Sequence, residues 1–272
     1  MADKTMIEWC DRTFNPWMGC AKVSDGCKFC YAETLMDTRY KKVKWGPRGT
    51  RVRTSAENWR KPLRWNREAW LECQSCGWRG EGNEFHACPY PVSELKPTRQ
   101  RVFCASLADV LEDRPELFAW RNDLFELIEQ TSDNLDWLIL TKRPENARDL
   151  LPAAWFEAWP GNVWMGTTVE NQKAAEERIP YLLDIPARVR FLSVEPMLGK
   201  IDLGMGGIHW VICGGESGQG CRPMEPAWAG DLRFQCGAAG APFFMKQLGG
   251  HPDKRDKIED FPAVLRVREW PV

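Results

Sequence analysis

From about residue 101 onward, short apolar runs rich in β-branched and aromatic residues alternate with polar segments of helical period. The runs are VFCASL (102–107), WLILT (137–141), VWMGTTV (163–169), VRFLSV (189–194), HWVICG (209–214) and PFFMKQ (242–247). Each is too short for a helix and largely apolar at successive positions, which suits a strand covered on both faces. Between them, PELFAWRNDLFELIEQ puts Leu117, Trp120, Leu124, Leu127 and Ile128 on one helical face; NQKAAEERIPYLLD and AWAGDLRFQCGAAG read as shorter helices. Strand and helix in regular alternation call for parallel strands joined by crossover helices. With a first strand at Thr13 to Met18 there are about seven such units. The expected fold is α/β, a (β/α) TIM-like barrel, complete or partial, with an open doubly wound sheet as the alternative.

Barrel enzymes keep their chemistry at the carboxyl ends of the strands. Here those ends carry Ser106 and Asp109; Thr141, Lys142 and Arg143; Thr168, Glu170 and Asn171; Ser193 and Glu195; Gly214, Gly215, Glu216 and Ser217; Lys246 and Gln247. Strand ends are wet and therefore often polar, but charge recurring at every one of them favours a common mouth. Lys142, Glu170 and Glu195 are the candidate catalytic groups.

The rhythm breaks between residues 39 and 100, which read as an insert in a barrel formed by 1–38 and 101–272. The insert's first half, RYKKVKWGPRGTRVRTSAENWRKPLRWNRE (39–68), holds eleven Lys or Arg against two Glu, with Trp45, Trp59 and Trp65 interleaved. Such a stretch can neutralise DNA or RNA phosphates while its rings stack on bases; the alternative is a solvated loop anchored by its tryptophans. In the second half, CQSCGWRGEGNEFHAC, Cys73 and Cys76 form a CxxC knuckle, and His86 and Cys88 return after a short excursion. Four such ligands suit a tetrahedral zinc in a closed structural site, which would make this half a small zinc-binding subdomain.

The other cysteine group is GCAKVSDGCKFCYA (19–32), where Cys20, Cys27 and Cys30 follow the first strand and no histidine follows at a fourth-ligand distance. A structural zinc closes its shell, whereas a four-iron four-sulfur cluster on three cysteines leaves one iron open. Placed after the first strand, that open position lies at the barrel mouth.

Composition narrows the setting. Charged residues make up 28% of the chain and the net charge is -1, so any nucleic-acid contact must come from a local patch. No run of about 18 apolar residues occurs and the first residues lack a signal-peptide core, so the expected location is cytoplasmic, without membrane contact. Eleven cysteines there read as thiols or metal ligands; Cys10, Cys104, Cys213, Cys221 and Cys236 are expected to be buried thiols, with Cys10 near enough in sequence to approach the cysteine loop.

The three-cysteine loop, with an aromatic residue before its last cysteine (CKFCYA), resembles the cluster loop of radical S-adenosylmethionine enzymes, with six residues in its first gap where that superfamily usually has three. IEWCDRTFNPWMGC, KFCYAE, FCASLADV, LTKRPEN, FLSVEPMLG and VICGGESGQGCRPM are similar to a phage-encoded three-cysteine-motif protein family of phages and bacteria, over nearly the whole chain apart from the insert. The resemblance implies that Cys20, Cys27 and Cys30 hold a 4Fe-4S cluster and that S-adenosylmethionine binds its open iron. Reductive cleavage would then give a 5'-deoxyadenosyl radical that abstracts hydrogen from a nucleic-acid base or nucleotide. It implies a flavodoxin- or ferredoxin-type reductant, and Phe29, Tyr31, Thr168, Glu195, Gly214, Gly215 and Glu216 as residues meeting the cofactor. Two other readings stand beside it. One is a divalent-metal hydrolase or nuclease using Asp109, Glu170, Glu195 and Glu216; the other is a non-catalytic, zinc-containing nucleic-acid-binding module.

Overall fold

The computed structural model describes residues 5–90, 94–218, 220–249 and 255–271; residues 1–4 and 272 of the expected barrel, 91–93 of the expected insert and Gln219 of the glycine turn lie outside the described residues. The main sheet has seven strands: β1 (Arg12–Thr13), β2 (Gln100–Cys104), β3 (Leu135–Thr141), β4 (Val163–Thr168), β5 (Arg190–Val194), β6 (Trp210–Gly214) and β7 (Phe243–Gln247). All neighbours are parallel. Spatial order follows sequence order, so every crossover steps the same way. A doubly wound sheet needs a reversal of strand order, and there is none. The sheet instead curls into a half-barrel: β1 and β7 each have a single neighbour, and among the described residues the ring does not close.

The first strand is shorter than expected. Only Arg12–Thr13 pair in the main sheet, while Trp17–Met18 turn away to pair antiparallel with Val52–Arg53. Pro16 stands between the two pieces and has no N–H to continue a ladder.

Side chains along the strands alternate between two apolar layers. Val102, Cys104, Trp137, Ile139, Met165, Leu192, Val211 and Met245 belong to the layer shared with the helices. These are α2 (Phe118–Gln130), α3 (Gln172–Leu183) and α4 (Pro226–Ala239), after α1 (Ala56–Trp65) in the insert. The expected face of α2 holds: Leu124, Leu127 and Ile128 are buried, with Leu117 just before the helix and Trp120 packed at the edge of the core. Phe103, Leu138, Trp164, Phe191, Trp210 and Phe244 fill the concave side. Burial of both faces explains why the runs are continuously apolar.

Trp9, from the segment before β1, enters this concave layer with its ring 4.6 Å from Phe103 and 6.1 Å from Trp210. At Gly166 a Cβ would lie 2.4 Å from the Phe191 ring. Rings thus fill the bowl where a closed barrel would have side chains from an opposing wall.

The insert is stitched to the barrel. Trp65 of α1 is 1% exposed and packs in the barrel core together with Trp59 and Leu63. Buried Arg12 donates to Gln100 (2.9 Å), Glu68 (3.0 Å) and Glu81 (3.1 Å) and lies 4.9 Å from the Trp70 ring. The second half folds as a three-stranded antiparallel sheet of Arg79–Glu81, Trp70–Cys73 and Leu95–Pro97. Among the described residues no helix is long and apolar enough to cross a membrane.

Candidate functional site

The cysteine loop sits where the strand ends converge. Gly19 begins it at φ +105°, where a side chain is strained, and a Cβ there would lie 2.5 Å from the Thr50 carbonyl oxygen. Cys27 closes a 3-10 turn, Asp25–Cys27, and Cys30 caps a short helix, Tyr31–Glu33, that widens into a π-helical stretch, Thr34–Arg39. Anchors reach the loop from four other parts of the chain. Arg143 donates to the Ala21 carbonyl (2.9 Å), the Gly26 N–H donates to Glu170 (3.3 Å), Arg222 donates to the Asp25 carbonyl (2.9 Å), and the Gly46 N–H donates to the Cys20 carbonyl (2.9 Å).

Cys20, Cys27 and Cys30, each half-buried, line one cavity of about 530 Å³. That volume lies within the range of small-molecule sites. The opposite wall carries Thr168, Ser193, Glu195 and Lys246 from the ends of β4, β5 and β7, with Lys142 after β3 and Trp9 below. Each of the six polar strand ends contributes at least one residue to this cavity, although Glu170, Asn171, Gly214, Gly215 and Glu216 do not line it.

Lys142 donates to the Thr168 hydroxyl (3.1 Å), and among the described residues no carboxylate pairs with it. Glu195 pairs with Lys246 at 2.8 Å. Burial alone would lower the Lys246 pKa, and the Glu195 carboxylate outweighs it, so the ammonium is held above its ordinary value. Gly214 makes room for that pair, because a Cβ there would lie 2.7 Å from Glu195 Oε1. Tyr31 lines the cavity and donates to the Ser106 carbonyl (2.7 Å).

Other expected site residues hold the loop instead of lining the cavity. Glu170, fully buried, pairs with Arg178 (2.8 Å) beneath Gly26. Glu216 was expected to face a ligand; Arg222 instead clamps both its oxygens, at 2.6 and 2.9 Å. Phe29 lies outside the cavity, its ring 5.5 Å from the Arg222 guanidinium. At Gly215 a Cβ would meet the Gly249 nitrogen at 2.1 Å, so this glycine permits a chain crossing. Asn171 caps α3 by accepting from the Ala174 N–H.

Arg143 sits against the first cysteine, its Nη1 3.6 Å from Cys20 Sγ and 2.8 Å from Asp109. Burial, reinforced by Asp109 and opposed by Arg143, pushes the Cys20 thiol up to about 12, and burial also raises Cys30. As free groups both thiols keep their protons at neutral pH; coordination to a metal is what removes them. Of the remaining cysteines, Cys10, Cys104, Cys213 and Cys236 are buried as expected, whereas Cys221 is only half-buried. Cys10 does not line the cavity.

In the insert, the ligand atoms of Cys73, Cys76, His86 and Cys88 all lie within 4.8 Å of one another. Cys73 and Cys88 sulfurs are 3.7 Å apart, close to the edge of about 3.8 Å that a tetrahedron with a metal–sulfur bond of about 2.3 Å requires. Cys76 Sγ and His86 Nε2 are 3.2 Å apart. Gly77, at φ +72°, turns the knuckle, and Trp78 stacks on His86 at 4.6 Å. This Cys3His group could bind a metal ion such as zinc. Among the described residues it is the one set of three or more Cys, His, Asp or Glu ligand atoms at that spacing, and the three loop cysteines do not meet it.

The chain belongs to the family described as Protein of unknown function (DUF5131). The family model matches residues 4–268, so it spans the half-barrel, the cysteine loop and the insert together. No curated protein and no solved structure matches the chain.

Sequence reasoning missed three parts of the site. The segment at residues 6–9 lines the cavity although it belongs to no expected strand or ligand group. Trp45 lies at the cavity wall and not in a remote insert. The arginine partners of Asp109, Glu170 and Glu216 are set by chain crossings that no local pattern encodes.

Proposed function

We propose that the protein is an iron–sulfur enzyme of the radical S-adenosylmethionine type, with Cys20, Cys27 and Cys30 holding a 4Fe-4S cluster and S-adenosylmethionine occupying the adjoining cavity. The observation that carries this reading is that all three thiols line one small-molecule-sized cavity at the carboxyl ends of parallel strands. The three sulfurs do not meet at the spacing of a single-ion site. A cubane holds each thiolate on its own iron, so its ligands need not crowd as those of a single ion do. The donor set also fits: three thiolates on a cluster carry net negative charge, and Arg143 and Lys142 place cations beside them. Cys20, Cys27 and Cys30 would hold a cluster whose one-electron chemistry, once reduced, would cleave the sulfonium. The chain's own residues confine and orient: Trp9 and Phe103 wall off water, Thr168 and Ser193 offer hydroxyls, and the Glu195–Lys246 pair offers an acceptor and a donor.

The divalent-metal hydrolase reading has less support. Each carboxylate it would use already has a cation: Asp109 has Arg143 (2.8 Å), Glu170 has Arg178 (2.8 Å), Glu195 has Lys246 (2.8 Å) and Glu216 has Arg222 (2.6 Å). A dication would have to displace an ammonium or guanidinium at every ligand. In the insert, the finer reading of the Cys3His group is a structural zinc.

The test is anaerobic purification and reconstitution, followed by the visible spectrum and iron and sulfide content. About four irons and four sulfides per chain with a brown absorbance are expected. A colourless protein holding only zinc overturns the reading.

A further inference from the structure

Eleven cations in residues 39–68 suggested a nucleic-acid surface, and the fold divides them sharply. Arg51 is buried against Glu112 and Arg53 pairs with Asp123, while Trp59 and Trp65 are packed against the barrel. Arg60, Lys61 and Arg64 lie on α1 and Arg67 just after it, whereas the other five form a compact stretch: Arg39, Lys41, Lys42, Lys44 and Arg48 are all exposed, and no acid occurs between residues 38 and 56. Asp37 reaches only Lys44 of the five, at 3.4 Å.

We propose that this stretch is a binding surface for single-stranded nucleic acid at the rim of the cysteine-lined cavity. Tyr40 is half-exposed, with the Arg39 guanidinium 5.5 Å and the Lys42 ammonium 5.9 Å from its ring centre. An exposed ring flanked by cations can stack a base while its neighbours neutralise the phosphates on either side. Lys41 is the one non-glycine residue at positive φ among the described residues, at +52°. That position, where the chain leaves the π-helical stretch, is usually given to glycine or asparagine; here it keeps a cation.

The surface is continuous with the cavity. Trp45 lines the cavity and its backbone N–H donates to Asp37 (2.7 Å), and the next residue, Gly46, donates to the Cys20 carbonyl. A strand held along residues 39–48 therefore runs past the mouth. The cavity is sunk in the concave side of the sheet, and a base stacked inside a duplex cannot enter such a pocket, which selects an unpaired strand. Delivery of a base into the cavity rests on the cofactor reading above; binding of the strand to the rim does not.

Fluorescence anisotropy with ~20-nucleotide mixed-sequence single-stranded DNA and RNA, and with the matching duplex, across ~50 to ~300 mM salt tests this. Single strands neutralise at about −0.7 in the log–log salt slope per phosphate, so five contacts predict a slope of about −3.5, with weaker binding to the duplex. Removing four cations together (Lys41→Ala, Lys42→Ala, Lys44→Ala, Arg48→Ala) should flatten the slope to about −0.7. Tyr40→Ala should weaken binding about tenfold and leave the slope unchanged. Protein purified in air without a cluster, and the Cys27→Ala variant, should bind like the iron-loaded protein, which separates this inference from the cofactor reading. A salt-independent isotherm, tighter duplex binding, an unaffected quadruple variant, or polyglutamate binding that equals DNA and ignores Tyr40→Ala each overturns it.

Discussion

Cys73, Cys76, His86 and Cys88 converge on one point, with all ligand atoms within 4.8 Å, in a small sheet with few apolar side chains of its own. Cys20, Cys27 and Cys30 spread around the wall of a cavity and sit above one of the most apolar layers of the molecule. Both groups contain a CxxC pair, so local spacing does not distinguish them. The difference lies in completeness and in neighbours. One set has four ligand atoms, enough to close a shell around one ion, and is braced by a stacked Trp78. The other lacks a fourth ligand, is surrounded by Arg143 and Lys142, and is held in place by ion pairs. A ligand set that could close around one ion and a set of thiols that shares its space with a small-molecule-sized cavity are thus separable in one chain.

The sharpest break of that comparison is a metal exchange. Cys27→Ala should abolish iron and sulfide while leaving one zinc per chain, and Cys73→Ser should do the reverse, both read by elemental analysis after anaerobic reconstitution. Chelation should act the same way on structure. Structural zinc binding is worth about 10–16 kcal/mol in small metal-held folds, so its removal should open residues 70–90 to protease while the half-barrel stays intact. Loss of iron from Cys73→Ser with zinc retained would mean that the roles of the two groups are exchanged.

A second, smaller break concerns what replaces a metal as the brace of the cysteine loop. Arg51, whose side chain is fully buried, is gripped by Glu112 through two hydrogen bonds of 2.6 Å, directly beneath Gly19. Glu112→Ala leaves that guanidinium buried and unpaired, and should cost about 3–5 kcal/mol in denaturant unfolding. Joint replacement by Arg51→Met and Glu112→Leu should recover most of the loss. Breaking the exposed pair Lys200–Asp231, by contrast, should leave the unfolding midpoint almost unchanged.

These contrasts also mark what the sequence made legible. The strands from β2 to β7 and the face of α2 were readable because burial on both sides leaves a continuous apolar run and burial on one side leaves a helical stripe. The Cys3His set was readable as a group that could hold a metal, and the three loop thiols as neighbours of the strand ends, where they line one cavity. What could not be read is long-range. Pro16 ends the first strand early, Trp9 fills the bowl from outside any strand, and no periodicity shows that the ring stays open. Glu170 and Glu216 looked like site residues because they follow strands, yet Arg178 and Arg222 claim them, and that choice is made by crossings of the chain. Trp59 and Trp65 looked like base-stacking rings because they are interleaved with lysines and arginines, and they pack into or against the core instead.

The smallest effect lies between the two groups, in the one contact that sets Cys20 apart from Cys73. The Arg143 guanidinium faces Cys20 Sγ at 3.6 Å, whereas Cys73 faces another sulfur. A charge-assisted donor stabilises the more negative, reduced form of an attached cluster, so weakening it should lower the reduction potential. Arg143→Lys keeps the charge that Asp109 needs and loses the planar fork that reaches Cys20 and the Ala21 carbonyl at once. A differential hydrogen-bond contribution of about 1.4 kcal/mol corresponds to about 60 mV for one electron, so a shift of about that size to lower potential is expected with iron content unchanged. If Arg143 only braces the loop, iron content or stability falls and the potential of the remaining cluster stays where it was. The equivalent substitution beside the insert, Arg79→Lys, should weaken its contacts to Asp11 and Glu72 and leave the potential untouched.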